Sequence, residues 1–230
     1  FDLVFVINLS SRSDRLRDME RQLGLIGLSL GEGQVRRFDA VRPTSAGDWP
    51  SVGARGCYFS HLGAIQAACS EGADSVLILE DDADWTSSFL GSNSAELDLL
   101  RNAEWDFLYG GVASKQKLGR SPVLVSIAPE QQVVTAHMVG LRGAALEGAV
   151  PYLDELAGRP AGSPDGGPMH VDGAYNWFRR SNLSVRSMIF EPAAALQRSS
   201  TSNISSNKWD SLPFIRRFYD FARKFFKHGI

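Results

Sequence analysis

The stretch S75-V-L-I-L-E-D-D-A-D-W85 decides how the chain is read. Four apolar residues, Val76 to Leu79, run into Glu80, Asp81, Asp82 and Asp84. A β-branched, uninterrupted apolar run of this length reads as a strand buried on both faces, the kind found inside a parallel sheet. In an open α/β sheet, ligands bind beyond the carboxyl ends of the strands. Chain direction alone therefore puts the acids where a ligand would lie. Adjacent carboxylates repel, so they need solvent, partners or a cation. Hard oxygen ligands of this type suit Mg²⁺ or Mn²⁺, with substrate phosphates completing the shell. The same residues also read as an ordinary solvated turn.

Working outward, DLVFVINL (2–9) reads as another buried strand. It is followed by a helix whose Leu16, Met19, Leu23 and Ile26 share one face, with Ser11 or Ser13 as cap and Gly27 as stop. A strand leading straight into a helix opens an α/β layer fold. VRRFDAV (35–41) reads as a strand, 42–56 as a turn-rich loop, and 57–72 as a helix carrying Leu62, Ile65 and Cys69 on one stripe and ending at Gly72. A helical patch at 93–102 and a strand at 105–111 repeat the alternation.

Beyond this point the pattern becomes mixed. Segments 122–128 and 132–141 read as two strands around the turn signal PEQ, in antiparallel order. Residues 142–158 read as a helix interrupted by Pro151, and 159–168, with three Pro and three Gly, as an exposed loop. A short helix at 171–180 and a strand at 183–192 follow. The polar segment 199–207 reads as mobile. The expected fold class is α/β, parallel in its N-terminal half and mixed in its C-terminal half. The domain division is 1–208 and a C-terminal basic amphipathic helix, 209–230.

The 230 residues are 43% hydrophobic and 22% charged, with net charge −2. This is ample for a core and gives no case for nucleic-acid binding. Two cysteines, Cys57 and Cys69, make neither a disulfide framework nor a zinc set, so a reduced cytoplasmic setting is expected. No run reaches the roughly 18–20 apolar residues that cross a membrane. The apolar start FDLVFVINL lacks the basic region and cleavage site of a signal peptide. In the final helix, Phe214, Ile215, Phe218, Phe221 and Phe225 form a stripe beside Arg216, Arg217, Arg223, Lys224 and Lys227. Such a helix lies on an anionic membrane face or packs on the protein.

INLSSRSDRL, RFDAV, GARGCYFSHLGAI and LILEDDADW occur in an order that resembles glycosyltransferases of family 25. That family includes bacterial lipooligosaccharide and lipopolysaccharide galactosyltransferases and is related to the collagen galactosyltransferases. The resemblance spans residues 3–85, with weaker echoes in TAHMVGLRGAALEGA, in HVDGAYNW and around Gln197 to Ile204. It implies a GT-A-like fold, a UDP-sugar donor, Mn²⁺ or Mg²⁺ at the acids, and inverting transfer of a hexose, galactose first. The acceptor it implies is a glycan, lipid-linked on the inner membrane face if the last helix binds membrane.

Under this resemblance Asp82 is the expected metal ligand, with Asp84 and His170 as further ligands. Glu80 and Asp81 are expected to hold metal-bound water or donor hydroxyls. Asn8, Arg12 and Arg15, at the end of the first strand and the start of its helix, suit a diphosphate. The two arginines read equally as solvent-facing partners of Asp14 and Asp18. Ser60 and His61 are expected to reach donor phosphate or sugar. Cys57 reads as a packed residue, since no activating partner is evident. Asp172 is the candidate general base, or else a cap for a helix starting near Gly173. Tyr175 and Trp177 read as a sugar-stacking wall or as core. A non-catalytic nucleotide-sugar-binding module is the alternative function. A phosphate-cradling GxxxxGK[ST] is absent from the sequence, which argues against a phosphoryl-transfer domain.

Overall fold

A computed structural model describes residues 1–93, 98, 101–112 and 121–198. The expected C-terminal helix, the boundary at 208 and most of the helical patch at 93–102 lie outside these residues. So does the polar segment 199–207.

Strand β1 (Leu3–Asn8) shows why the sheet is a middle layer. Its six residues are all buried. Leu3, Phe5 and Ile7 enter one apolar cluster, and Val4 and Val6 enter another. Alternate side chains point to opposite faces, so both faces of β1 must be covered. On the first face lie Tyr58, Leu62 and Ile65 of α2 (Val52–Ser70), Leu146 and Leu153 of α4 (Ala144–Gly158), and Ala174 and Phe178 of α5 (Val171–Ser181). On the second lie Met19 and Leu23 of α1 (Ser13–Leu25), with Trp85, Trp105 and Phe190. Each such buried large side chain contributes roughly 1.5–3 kcal/mol, which is why no charge interrupts the strand.

The seven-stranded sheet has the order β2-β1-β3-β7-β5-β8-β6. The new strands are β2 (Val35–Asp39), β3 (Ser75–Glu80), β5 (Phe107–Tyr109), β6 (Val123–Ser126), β7 (Met138–Arg142) and β8 (Ser187–Glu191). β1 pairs in parallel with β2 and β3, and β5 with β8, whereas β7 and β6 run antiparallel to their neighbours. A two-stranded sheet joins β4 (Ala83–Trp85) to β9 (Ala195–Gln197), and α3 (Ser87–Leu90) follows β4. This is the expected α/β class, parallel first and mixed later.

Four expectations change. Helix α2 begins at Val52, five residues earlier than expected, because the Ser51 hydroxyl accepts from Ala54 N at 3.0 Å and caps it. β6 and β7 are not a hairpin. Met138 to Leu141 are all buried and need a neighbour on each side, so β7 lies between β3 and β5. Val123 and Ser126 are exposed, and β6 takes the edge. Pro151 does not interrupt α4. It and Glu147, whose carbonyl loses its bond there, are both exposed, so water can replace that bond. The loop 159–168 is not wholly exposed, because Gly166 and Gly167 are buried, Gly166 near Leu156 and Trp177 and Gly167 on Pro160.

The helix ends follow capping chemistry only in part. α1 starts after Arg12 without a side-chain cap, so neither Ser11 nor Ser13 serves. Gly27 and Gly72, at φ 73° and 72°, do turn the chain out of α1 and α2. No helix among the described residues is long and apolar enough to cross a membrane.

Candidate functional site

The acids gather where β1 and β3 end side by side. Ile7 is in register with Glu80, so Asn8, the last residue of β1, lies level with the Asp81-Asp82 turn. The turn leads into β4, and its far side is tied to β9, where Arg198 N donates to Asp82 O at 2.7 Å.

Both oxygens of Asp81 are hydrogen-bonded. Its Oδ2 accepts from Asn8 Nδ2 at 2.7 Å and its Oδ1 from Arg15 Nη1 at 2.8 Å. Asp82 Oδ2 accepts from the same Arg15 Nη1 at 3.3 Å and from Gln197 Nε2 at 3.4 Å. Two acceptor oxygens, Asp82 Oδ1 and Asn8 Oδ1, are buried and have no hydrogen-bond partner among the described residues. The Asp82 carboxyl is pushed up to about 7. Burial is the main cause, then the charge on Glu80, opposed by Arg15; Asp81 raises it further and Gln197 lowers it.

Glu80 points to other partners. Its Oε1 accepts from Cys57 Sγ at 3.4 Å and from His61 Nε2 at 3.2 Å. Burial alone would raise its pKa, but the His61 hydrogen bond and charge, with His137 and the Cys57 thiol, hold it below the usual value. An ionised carboxylate only accepts, so Nε2 carries a proton toward Glu80, while Nδ1 shares a hydrogen bond with the Tyr175 hydroxyl at 3.0 Å. Tyr175 keeps its proton because burial pushes its pKa well up. The Cys57 thiol is also pushed well up, by burial and then by Glu80, so it is no nucleophile at neutral pH.

The other expected residues are placed as follows. Ser60 is buried; its hydroxyl donates to Gly56 O at 2.6 Å and accepts from Val41 N at 2.8 Å, so it ties α2 to the chain after β2. Arg12 caps Asp14 with two hydrogen bonds, at 3.0 and 2.8 Å, while Arg15 turns inward. Asp84 is held by Arg198, which also binds Asp18 at 2.9 Å. His170 is exposed at the N-cap of α5 without a capping hydrogen bond. Asp172, half-buried in the first turn, accepts from Gly173 N at 2.8 Å and is not the cap. Its charge is felt at Cys57 and Tyr109, so it lies near the Glu80 cluster. Tyr175 is core, and Trp177 lies under Arg180.

Among the described residues, one group of Cys, His, Asp or Glu has three donor atoms within 4.8 Å of one another: Cys57, His61 and Glu80. These residues could hold a metal ion. Asp82, Asp84 and His170 do not converge in this way. The pairing of Cys57 with His61 was legible as an i, i+4 step on one helix face. Arg198, 114 residues from Asp84, was not singled out in the sequence, although it falls within the weak echo around Gln197 to Ile204.

The chain is similar in fold to a glycosyltransferase. That protein, involved in the glycosylation of the major capsid of PBCV-1, superposes with TM-score 0.52 at 11% identity, covering 87% of this chain and 93% of that one. A197 from STIV is a looser match, with TM-score 0.43 at 10% identity over 86% and 85% of the two chains. No protein-family model matches the chain, and no curated protein does.

Proposed function

We propose that the chain is a metal-dependent glycosyltransferase that moves a hexose, galactose first, from a UDP-sugar to a glycan acceptor with inversion. The observation that carries this reading is Asp82 Oδ1, a buried carboxylate oxygen at the ends of β1 and β3 without a hydrogen-bond partner among the described residues. The similarity of fold to a glycosyltransferase supports the reaction class, and the ordered motifs support the donor.

The residues present fit a hard divalent cation. Mg²⁺ and Mn²⁺ sites take one or two carboxylates and leave the rest of the shell to water and substrate phosphates. Asp82 supplies one such oxygen. A cation bound there would offset the charge that grows on the β-phosphate as the glycosidic bond breaks. Asp81, fixed by Asn8 and Arg15, presents an oriented carboxylate to a donor hydroxyl. Arg15 is placed to favour the diphosphate. Asp172 takes the acceptor hydroxyl's proton. Asp84 would join this shell only if Arg198 released it, and His170 only if it moved toward Asp82. The basic, Phe-rich segment 209–230 would hold the enzyme on the inner membrane face, near a lipid-linked acceptor.

The test is turnover of a panel of UDP-sugars with and without Mn²⁺, for wild type and Asp82→Asn. Metal-dependent turnover lost in the variant, with the fold retained, supports the reading. Wild-type turnover in Asp82→Asn overturns the metal assignment. Metal-dependent UDP binding with neither transfer nor hydrolysis favours a non-catalytic binding module instead.

A further inference from the structure

Cys57, His61 and Glu80 are not needed for a hard cation at Asp82, yet their donors are arranged for an ion of another kind. Cys57 and His61 lie one turn apart on α2, and both reach Glu80 Oε1 at the end of β3. The Sγ–Oε1 and Nε2–Oε1 distances are 3.4 and 3.2 Å. In a tetrahedral zinc site, bonds of about 2.3 Å to sulfur and about 2.0–2.1 Å to nitrogen or oxygen place neighbouring ligand atoms about 3.3–3.6 Å apart. Two of the three edges therefore already stand close to those of such a site, and all three donors lie within 4.8 Å of one another.

We propose that Cys57 Sγ, His61 Nε2 and a Glu80 carboxylate oxygen form a binding site for a thiophilic divalent cation of the zinc class. The donor set selects that class. A thiolate and an imidazole favour zinc over Mg²⁺ or Mn²⁺, which prefer all-oxygen shells. Charge is balanced, since a thiolate and a carboxylate cancel a divalent ion and leave the buried pocket neutral. On binding, the thiol proton leaves to solvent as the sulfur–metal bond forms. The imidazole proton moves from Nε2 to Nδ1, where the Tyr175 oxygen at 3.0 Å accepts it. An outer partner of this kind orients a ligating histidine. Three protein ligands leave the fourth position to water or a small anion. The ion would brace α2 against β3. This site stands independently of the glycosyltransferase reading.

The test uses the full chain, reduced and stripped of metal, titrated with Co²⁺. The expected result is a thiolate-to-cobalt charge-transfer absorption that saturates at one equivalent and is displaced by Zn²⁺. Cys57→Ser abolishes it with the circular dichroism spectrum unchanged, Cys69→Ser retains it, and His61→Gln weakens affinity roughly tenfold or more. Asp82→Asn, which removes the proposed Mn²⁺ ligand, retains the band, so failure of one site is distinguishable from failure of the other. No charge-transfer band in excess Co²⁺, or a band that survives Cys57→Ser, overturns the proposal. In that case the thiol and imidazole serve only as hydrogen-bond donors to Glu80.

Discussion

Arg15 Nη1 lies 3.3 Å from Asp82 Oδ2 and at the same time 2.8 Å from Asp81 Oδ1. One guanidinium nitrogen thus serves both carboxylates of the turn, and the protein carries its own counter-ion at the acids. It satisfies one oxygen of Asp82, while the other has no hydrogen-bond partner among the described residues.

The first prediction concerns that counter-ion. Arg15→Met leaves two buried carboxylates uncompensated, and breaking such a pair costs roughly 3 kcal/mol. Urea unfolding at pH 8 should show the loss. At pH 5, where Asp82 takes up a proton, the loss should shrink. An unchanged urea midpoint at pH 8 would sink the idea that Arg15 compensates the acids.

Asp82 also sets a pH dependence. Its carboxyl sits at about 7 in the folded chain against 3.8 for the free group. Below about pH 4 it is protonated in both states. Between that and about 7 the folded state keeps a proton the unfolded state has lost, so stability falls as pH rises through this window. Above it the penalty is constant. Asp82→Asn lacks the penalty and should be more stable than wild type by on the order of 2–4 kcal/mol at pH 8, and by little near pH 4. Equal stability of the two proteins across this range would contradict the assignment.

Cation binding should follow the same group. Millimolar Mn²⁺ is expected to raise the thermal midpoint of wild type at pH 8, because a ligand that binds only the folded state stabilises it. The shift should be smaller at pH 5.5, where a proton competes for Asp82, and absent in Asp82→Asn. A shift of equal size in the variant would place the ion elsewhere.

Gly56 has a packing role on α2. A Cβ there would lie 2.7 Å from Val41 O and 3.1 Å from Pro43 Cδ. Gly56→Ala improves helix propensity, yet it should destabilise the protein by about 1–3 kcal/mol through overpacking. Calorimetry distinguishes the two signs, and a stabilised variant would show that residues 41–43 yield easily.

The legible parts of the fold were those governed by local patterns. β1 and β3 are apolar at every inner position, and only a doubly covered strand tolerates that. Where the answer depended on partners, local pattern misled. Proximity in sequence favoured a hairpin of β6 and β7, but the all-buried face of β7 demanded two neighbours and found them in β3 and β5. Arg12 and Arg15 lie three residues apart at the start of one helix, and from sequence both carry the same two readings. Only the position of α1 beside β1 and β4 turns Arg15 onto the acids and leaves Arg12 with Asp14.

By itself the sequence determined the strand–helix alternation and the acids at the carboxyl end of β3, because periodicity and chain direction are local properties. The tertiary structure decided which acid has an unsatisfied oxygen and which are occupied. Asn8, Arg15, His61 and Arg198 reach Asp81, Asp82, Glu80 and Asp84 from four separate segments. Hydrogen bonds across 19 to 114 residues exist only once the sheet has brought their ends together.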